Sequence, residues 1–114
     1  MIKNYRVLVL LDTYGRFLPD FQRNCVEDYY SRDLSFSEIS ENTSKTRQGV
    51  RDAILRAEVF LYDMEKKLGL VEKVEILREN LLNFKSTAEK IKEEGIKEEF
   101  QNQIEKLEKV TESW

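Results

Sequence analysis

Residues 35–68 read SFSEISENTSKTRQGVRDAILRAEVFLYDMEKKL, and this stretch decides the fold. It opens with Ser35-Phe36-Ser37-Glu38, which has the Ser-x-x-Glu form of a capping box. In such a box each side chain accepts a hydrogen bond from the other residue's free backbone N–H. We therefore expect a short helix to begin here and to end near Asn42, where the polar cluster Asn42-Thr43-Ser44 indicates a turn.

A long helix is predicted after the turn, from Arg47 to about Leu68. Thr46 can cap its start, and Gly69 stands where a helix of this kind stops. Its inward-facing apolar residues are Val50, Ile54, Ala57 and Leu61. A short helix, a turn and a longer helix have the shape of a helix-turn-helix, although many helical hairpins share that spacing.

The residues before this stretch also predict helices. Apolar residues recur at helical spacing from about Ile2 to Leu18, although the run Val7-Leu8-Val9-Leu10-Leu11 alone could be a buried strand. Pro19 then begins a new helix, since proline is tolerated in a first helical turn. Ser31-Arg32-Asp33 is a short connection to the capping box.

The residues after Gly69 predict two amphipathic helices with narrow apolar seams. We therefore expect an all-α protein, with an N-terminal helix-turn-helix domain at 1–70 and C-terminal helices at 71–114. A narrow seam needs a covering surface, which is the N-terminal domain, the other C-terminal helix or a second subunit. A homodimer is the preferred interpretation. The candidate dimer or partner interface comprises Leu77, Leu81, Phe84, Ile91, Phe100, Ile104, Leu107 and Trp114.

Composition narrows the function further. The 114 residues contain no histidine and a single cysteine, Cys25, so the common proton shuttle and metal-ligand sets are lacking. Neither a glycine-rich phosphate loop nor metal-ligand spacing occurs, and we expect no catalysis, no metal and no cofactor. No apolar run approaches the roughly 20 residues that span a bilayer. A cytoplasmic protein without membrane insertion is predicted.

The charge is balanced overall but uneven along the chain. Nineteen Lys and Arg stand against 22 Asp and Glu, a net charge of −3, which excludes broad coating of nucleic acid. Between Ser44 and Ala57 the net charge is +3, with Asp52 the single acidic residue. The candidate nucleic-acid-binding residues are Lys45, Thr46, Arg47, Gln48, Arg51 and Arg56. Alternatively, these are ordinary solvated residues that form local pairs with Asp52 and Glu58.

The residues from Tyr5 to Leu70 resemble the YlxM family of small bacterial helix-turn-helix proteins. Arg47-Gln48-x-Val50-x-Asp52-x-Ile54-x-Arg56-x-Glu58 carries most of the resemblance, and Glu65-x-x-Leu68-Gly69-Leu70 closes it. Further matching residues are Leu18, Gln22, Tyr29, Tyr30, Asp33, Ser35, Glu38 and Ile39. The N-terminal half of this family is related to the region-4 DNA-binding domain of sigma factors.

The resemblance implies an all-helical, dimeric, cytoplasmic bacterial protein without enzymatic activity. It also implies a link to the signal recognition particle pathway, because the family's genes typically neighbour that of the particle's GTPase, Ffh. Two functions follow. The first is a nucleic-acid-binding regulator with DNA or signal recognition particle RNA as its partner, and the second is a protein-interaction module that modulates Ffh or its assembly.

The sequence departs from the family pattern at the turn. Family members commonly have Phe-Gly-Val-Ser there, where this chain has Thr43-Ser44-Lys45-Thr46. Losing the glycine requires Ser44 to adopt a left-handed backbone, or requires a different turn. Lys45 replaces an apolar anchor, Pro19 stands where a threonine cap is usual, and Asp28 stands where an apolar residue is usual.

Overall fold

The computed structural model describes residues 3–113, and within them every regular element is helical. The all-α prediction is therefore confirmed. The helices are α1 (Arg6–Tyr14), α2 (Asp20–Tyr30), α3 (Phe36–Thr43), α4 (Arg47–Leu68), α5 (Leu70–Ala88) and α6 (Glu94–Glu112). No helix among the described residues combines the length and apolar character needed to cross a membrane.

The chain forms two compact units, one ending at Gly69 and one beginning at Leu70. In the first unit α1, α2 and α3 all pack against α4. The apolar faces meet in a core whose fully buried members include Leu10, Val26, Ile39, Val50, Ile54 and Leu61. The candidate site therefore stands on a helix that three others hold in place.

The signals that start and stop the helices act as predicted. The Ser35 hydroxyl accepts from the Glu38 backbone N–H at 3.1 Å, and the Glu38 carboxylate accepts from the Ser35 N–H at 3.1 Å. Thr46 caps α4 by accepting from the Gly49 N–H at 2.9 Å. Gly69 ends α4 in the left-handed conformation, with φ at 62°. The capping box, the threonine cap and the glycine stop are all confirmed.

Other boundaries differ from the prediction. The first helix ends at Tyr14, and the chain continues through a 3₁₀ turn over Gly15–Phe17 to an extended Leu18. Pro19 lies just outside α2, at its N-cap. Apolar residues recur at helical spacing as far as Ile91, but α5 stops at Ala88. The observed helix ends differ from the predicted ones because apolar spacing can continue past the end of a helix and so does not mark it.

In the second unit α5 packs against α6. Glu93 starts α6, because its carboxylate accepts from the N–H groups of Gly95 and Ile96 at 3.0 and 2.9 Å. Gly95 therefore lies inside the helix. The Arg78 guanidinium donates to the Thr111 carbonyl at 2.7 Å and joins the two helices.

Candidate nucleic-acid interface

The turn between α3 and α4 is held by side chains of α3. Ser44 adopts the left-handed conformation at φ 59°, which is the first of the two alternatives that the missing glycine left open. The Thr43 hydroxyl donates to the Ile39 carbonyl at 2.8 Å, and the Ser40 hydroxyl donates to the Lys45 carbonyl. These bonds satisfy backbone oxygens at the turn and fix where α4 begins.

Five of the six predicted nucleic-acid-binding residues surround the first turn of α4. All five are exposed, and they are Lys45, Thr46, Arg47, Gln48 and Arg51. The first turn contains no acidic residue. Because the free N–H groups of a helix N-terminus carry partial positive charge, this end of α4 favours anions.

Arg56 is the exception among these residues. It is also exposed, but it lies five residues beyond Arg51. At 3.6 residues per turn, five residues rotate a side chain by about 140° around the helix axis. Arg56 therefore lies on a different side of α4 from Arg51, and the structure does not bring it together with the other five.

Lys45 and Gln48 each make a side-chain contact at this end of α4. The Lys45 ammonium lies 6.0 Å from the ring centre of Phe21 on α2, at the outer limit of a cation–π contact. The Gln48 amide nitrogen donates to the Asp52 carboxylate at 2.9 Å. Asp52 was predicted to pair locally, but Gln48 as its hydrogen-bond donor was not.

Two tyrosines join α4 to α1 and α2 by hydrogen bonds, and sequence reasoning missed both contacts. The Tyr14 hydroxyl donates to Glu65 and the Tyr30 hydroxyl donates to Glu58, each at 2.5 Å. Burial raises the pKa of Tyr30, and its hydrogen bond to Glu58 raises it further. Tyr30 therefore keeps its proton and donates it, and the acceptor in each pair is a glutamate side chain of α4.

The predicted dimer or partner residues fall into four groups. Leu81 and Ile104 are buried in the second unit. Ile91 is half-buried, and Trp114 lies outside the described residues. The exposed members are Leu77, Phe84, Phe100 and Leu107. Phe84, Phe100 and Leu107 line an apolar groove between α5 and α6, whose floor includes Leu81 and Ile104.

A short capped helix, a tight turn and a longer helix with an exposed basic end define a helix-turn-helix protein. Comparison with known families gives the same class. The family described as "Putative helix-turn-helix protein, YlxM / p13 like" matches residues 1–110. The chain belongs to this family, also called UPF0122, as the sequence resemblance predicted.

Relatives in several bacteria are similar to the chain. A UPF0122 protein of Clostridium kluyveri is 44% identical over 80 residues, which cover 70% of this chain and 72% of the relative. One from Fusobacterium nucleatum is 35% identical over 98 residues, covering 86% of this chain and 88% of the relative. One from Desulforamulus reducens is 46% identical over 69 residues, covering 60% and 59%.

Proposed function

We propose that this chain is a cytoplasmic regulatory protein that binds duplex DNA through the N-terminal end of α4, in a sigma-region-4-like manner. The observation that carries the proposal is the exposure of Lys45, Arg47 and Arg51 around a helix start that has no acidic residue. Arginine can donate twice to the major-groove edge of guanine. Lysine and the free N–H groups of the helix bind phosphate oxygens. No catalytic step is part of the proposal.

The number of cationic groups sets the expected affinity. If Lys45, Arg47 and Arg51 each neutralise one phosphate, the logarithm of the binding constant falls with the logarithm of salt concentration at a slope of about −2.7. Such binding is modest for one copy. A homodimer presents two recognition helices to two half-sites and doubles the contacts. The proposed dimer forms through the second unit.

A fluorescence anisotropy titration with labelled duplex DNA at two salt concentrations tests the proposal. Charge reversal in the double variant R47E/R51E is expected to abolish binding. The matched control K66E/K67E makes the same charge change in the last turn of α4, roughly 28 Å from Arg47 along the helix. Binding by R47E/R51E at wild-type strength would refute the proposal.

The link to the signal recognition particle belongs to the same proposal. It is supported by the family resemblance and is tested by a parallel titration with the particle's RNA. Tighter binding to that RNA than to duplex DNA, lost in R47E/R51E, would assign the basic end of α4 to RNA. If an unrelated RNA binds as tightly as the particle's RNA, the proposed link to the signal recognition particle is refuted.

A second candidate function is a protein-interaction module that modulates Ffh or its assembly. Residues 70–114 contain eight Lys and Arg against 11 Asp and Glu, a balance that is unfavourable for nucleic acid. The groove lined by Phe84, Phe100 and Leu107 suits an amphipathic helix. Capture of Ffh that fails in F84E/L107E and persists in L82E would support this function. Leu82 is the control because it is exposed and apolar but does not line the groove.

A further inference from the structure

Gln48 in the first turn of α4 and Asp52 in the second turn form a hydrogen-bonded pair on the outer surface of the helix. They are four residues apart, so their side chains lie one above the other on the helix. The Gln48 amide nitrogen donates to Oδ1 of Asp52 at 2.9 Å, in an exposed position. Asp52 is also the single acidic residue between Ser44 and Ala57, in the segment that carries the basic cluster.

The carboxylate determines which way the Gln48 amide faces. A glutamine amide that turns over exchanges its acceptor oxygen for its donor nitrogen. An ionised carboxylate only accepts hydrogen bonds, so the Gln48 nitrogen must face Asp52. One amide N–H is used in this contact. When the N–H trans to Oε1 makes that contact, the N–H on the same side as Oε1 is left to donate beside an oxygen that can accept.

We propose that Asp52 is a positioning residue that makes Gln48 select adenine over guanine at one position of the bound duplex. This inference rests on the proposed function. Adenine presents a donor at N6 and an acceptor at N7 in the major groove, which match Oε1 and the free N–H of Gln48. Guanine presents two acceptors, and its O6 would face the Gln48 oxygen.

A purely structural role for the pair predicts a different result. A hydrogen bond between residues four apart stabilises the helix, and its loss lowers the melting temperature without changing which base is preferred. Positioning predicts a change in base preference. It also predicts tighter binding to all sequences when Asp52 loses its charge, because a carboxylate close to phosphates is repelled by them.

The test is selection of bound DNA from a duplex pool with randomised central base pairs, followed by sequencing. Wild-type protein is expected to prefer adenine over guanine at one position in each half-site. Both Q48A and D52N are expected to reduce that preference by roughly tenfold, the usual contribution of one bidentate base contact. In a Q48A background, D52N should leave the preference unchanged, since the group it positions is absent.

The variant D63N is the matched control. Asp63 lies about three turns further along the same side of α4, roughly 16 Å from Asp52, and pairs with Lys67 at 2.9 Å. D63N is expected to change neither base preference nor general affinity. Wild-type preference in D52N or in Q48A would overturn the inference alone. Failure of the wild-type chain to bind any duplex in the pool would overturn the proposed function, and this inference with it.

Discussion

Replacing Ser44 with glycine is expected to stabilise the protein. Ser44 holds a left-handed backbone at φ 59° and ψ 22°, which costs an L-residue about 1–2 kcal/mol relative to glycine. Glycine also adds freedom to the unfolded chain, which takes back about 0.4–1 kcal/mol. The net gain in the free energy of unfolding for S44G is about 0.5–1 kcal/mol. For a unit of this size, the gain raises the melting temperature by about 2–8 °C.

Thermal unfolding followed by circular dichroism measures this gain. S44A keeps the strained backbone and removes only the hydroxyl, so its melting temperature should stay near that of the wild type. S37G places glycine inside α3, where the backbone is helical, and should cost about 0.5 kcal/mol. A melting temperature for S44G at or below that of the wild type would refute the reasoning from backbone strain.

Three further predictions concern stability. S35A removes the hydroxyl that caps α3 and should lower the free energy of unfolding by about 1 kcal/mol in urea denaturation, whereas no change would contradict the capping role. G69A should lower the free energy of unfolding by a similar amount, because an alanine is strained in the left-handed backbone at φ 62°. A Cβ there meets nothing within 4 Å, so the backbone is the one source of this cost, and a stabilised G69A would contradict the reasoning. Burial raises the pKa of the Cys25 thiol to about 11, so the stability it contributes is complete below pH 9 and falls as the pH rises towards 11. Urea denaturation across this pH range should show a steeper fall for the wild type than for C25A, and equal slopes would contradict the assignment.

The local signals were readable from the sequence because each acts over a few residues. Ser35 and Glu38 satisfy each other's backbone, Thr46 caps the next helix, and Gly69 tolerates the left-handed stop. The left-handed backbone at Ser44 was one of two alternatives that the missing glycine left open. The capping and stop signals predicted the helix-turn-helix, and the count of charged residues between Ser44 and Ala57 predicted the basic start of α4.

The contacts between helices were not readable in the same way. Tyr14 and Glu65 are 51 residues apart, and Tyr30 and Glu58 are 28 apart. Such pairs depend on how each helix is rotated against its neighbour, which apolar spacing defines only to within a broad face. Arg56 was grouped with the basic cluster by its closeness in the sequence, although its helical position separates it from Arg51.

The two tyrosine–glutamate hydrogen bonds fix the orientation of α4 at a distance from its N-terminal end. Glu58 and Glu65 lie two turns apart and further along α4 than the recognition residues, so their hydrogen bonds resist rotation of α4 about its own axis. Loss of either hydrogen bond would change the orientation of Arg47 and Arg51 without changing these residues themselves. A genetic screen for lost binding is therefore expected to recover Tyr30 and Tyr14 alongside Arg47, and only the arginine would mark the contact surface.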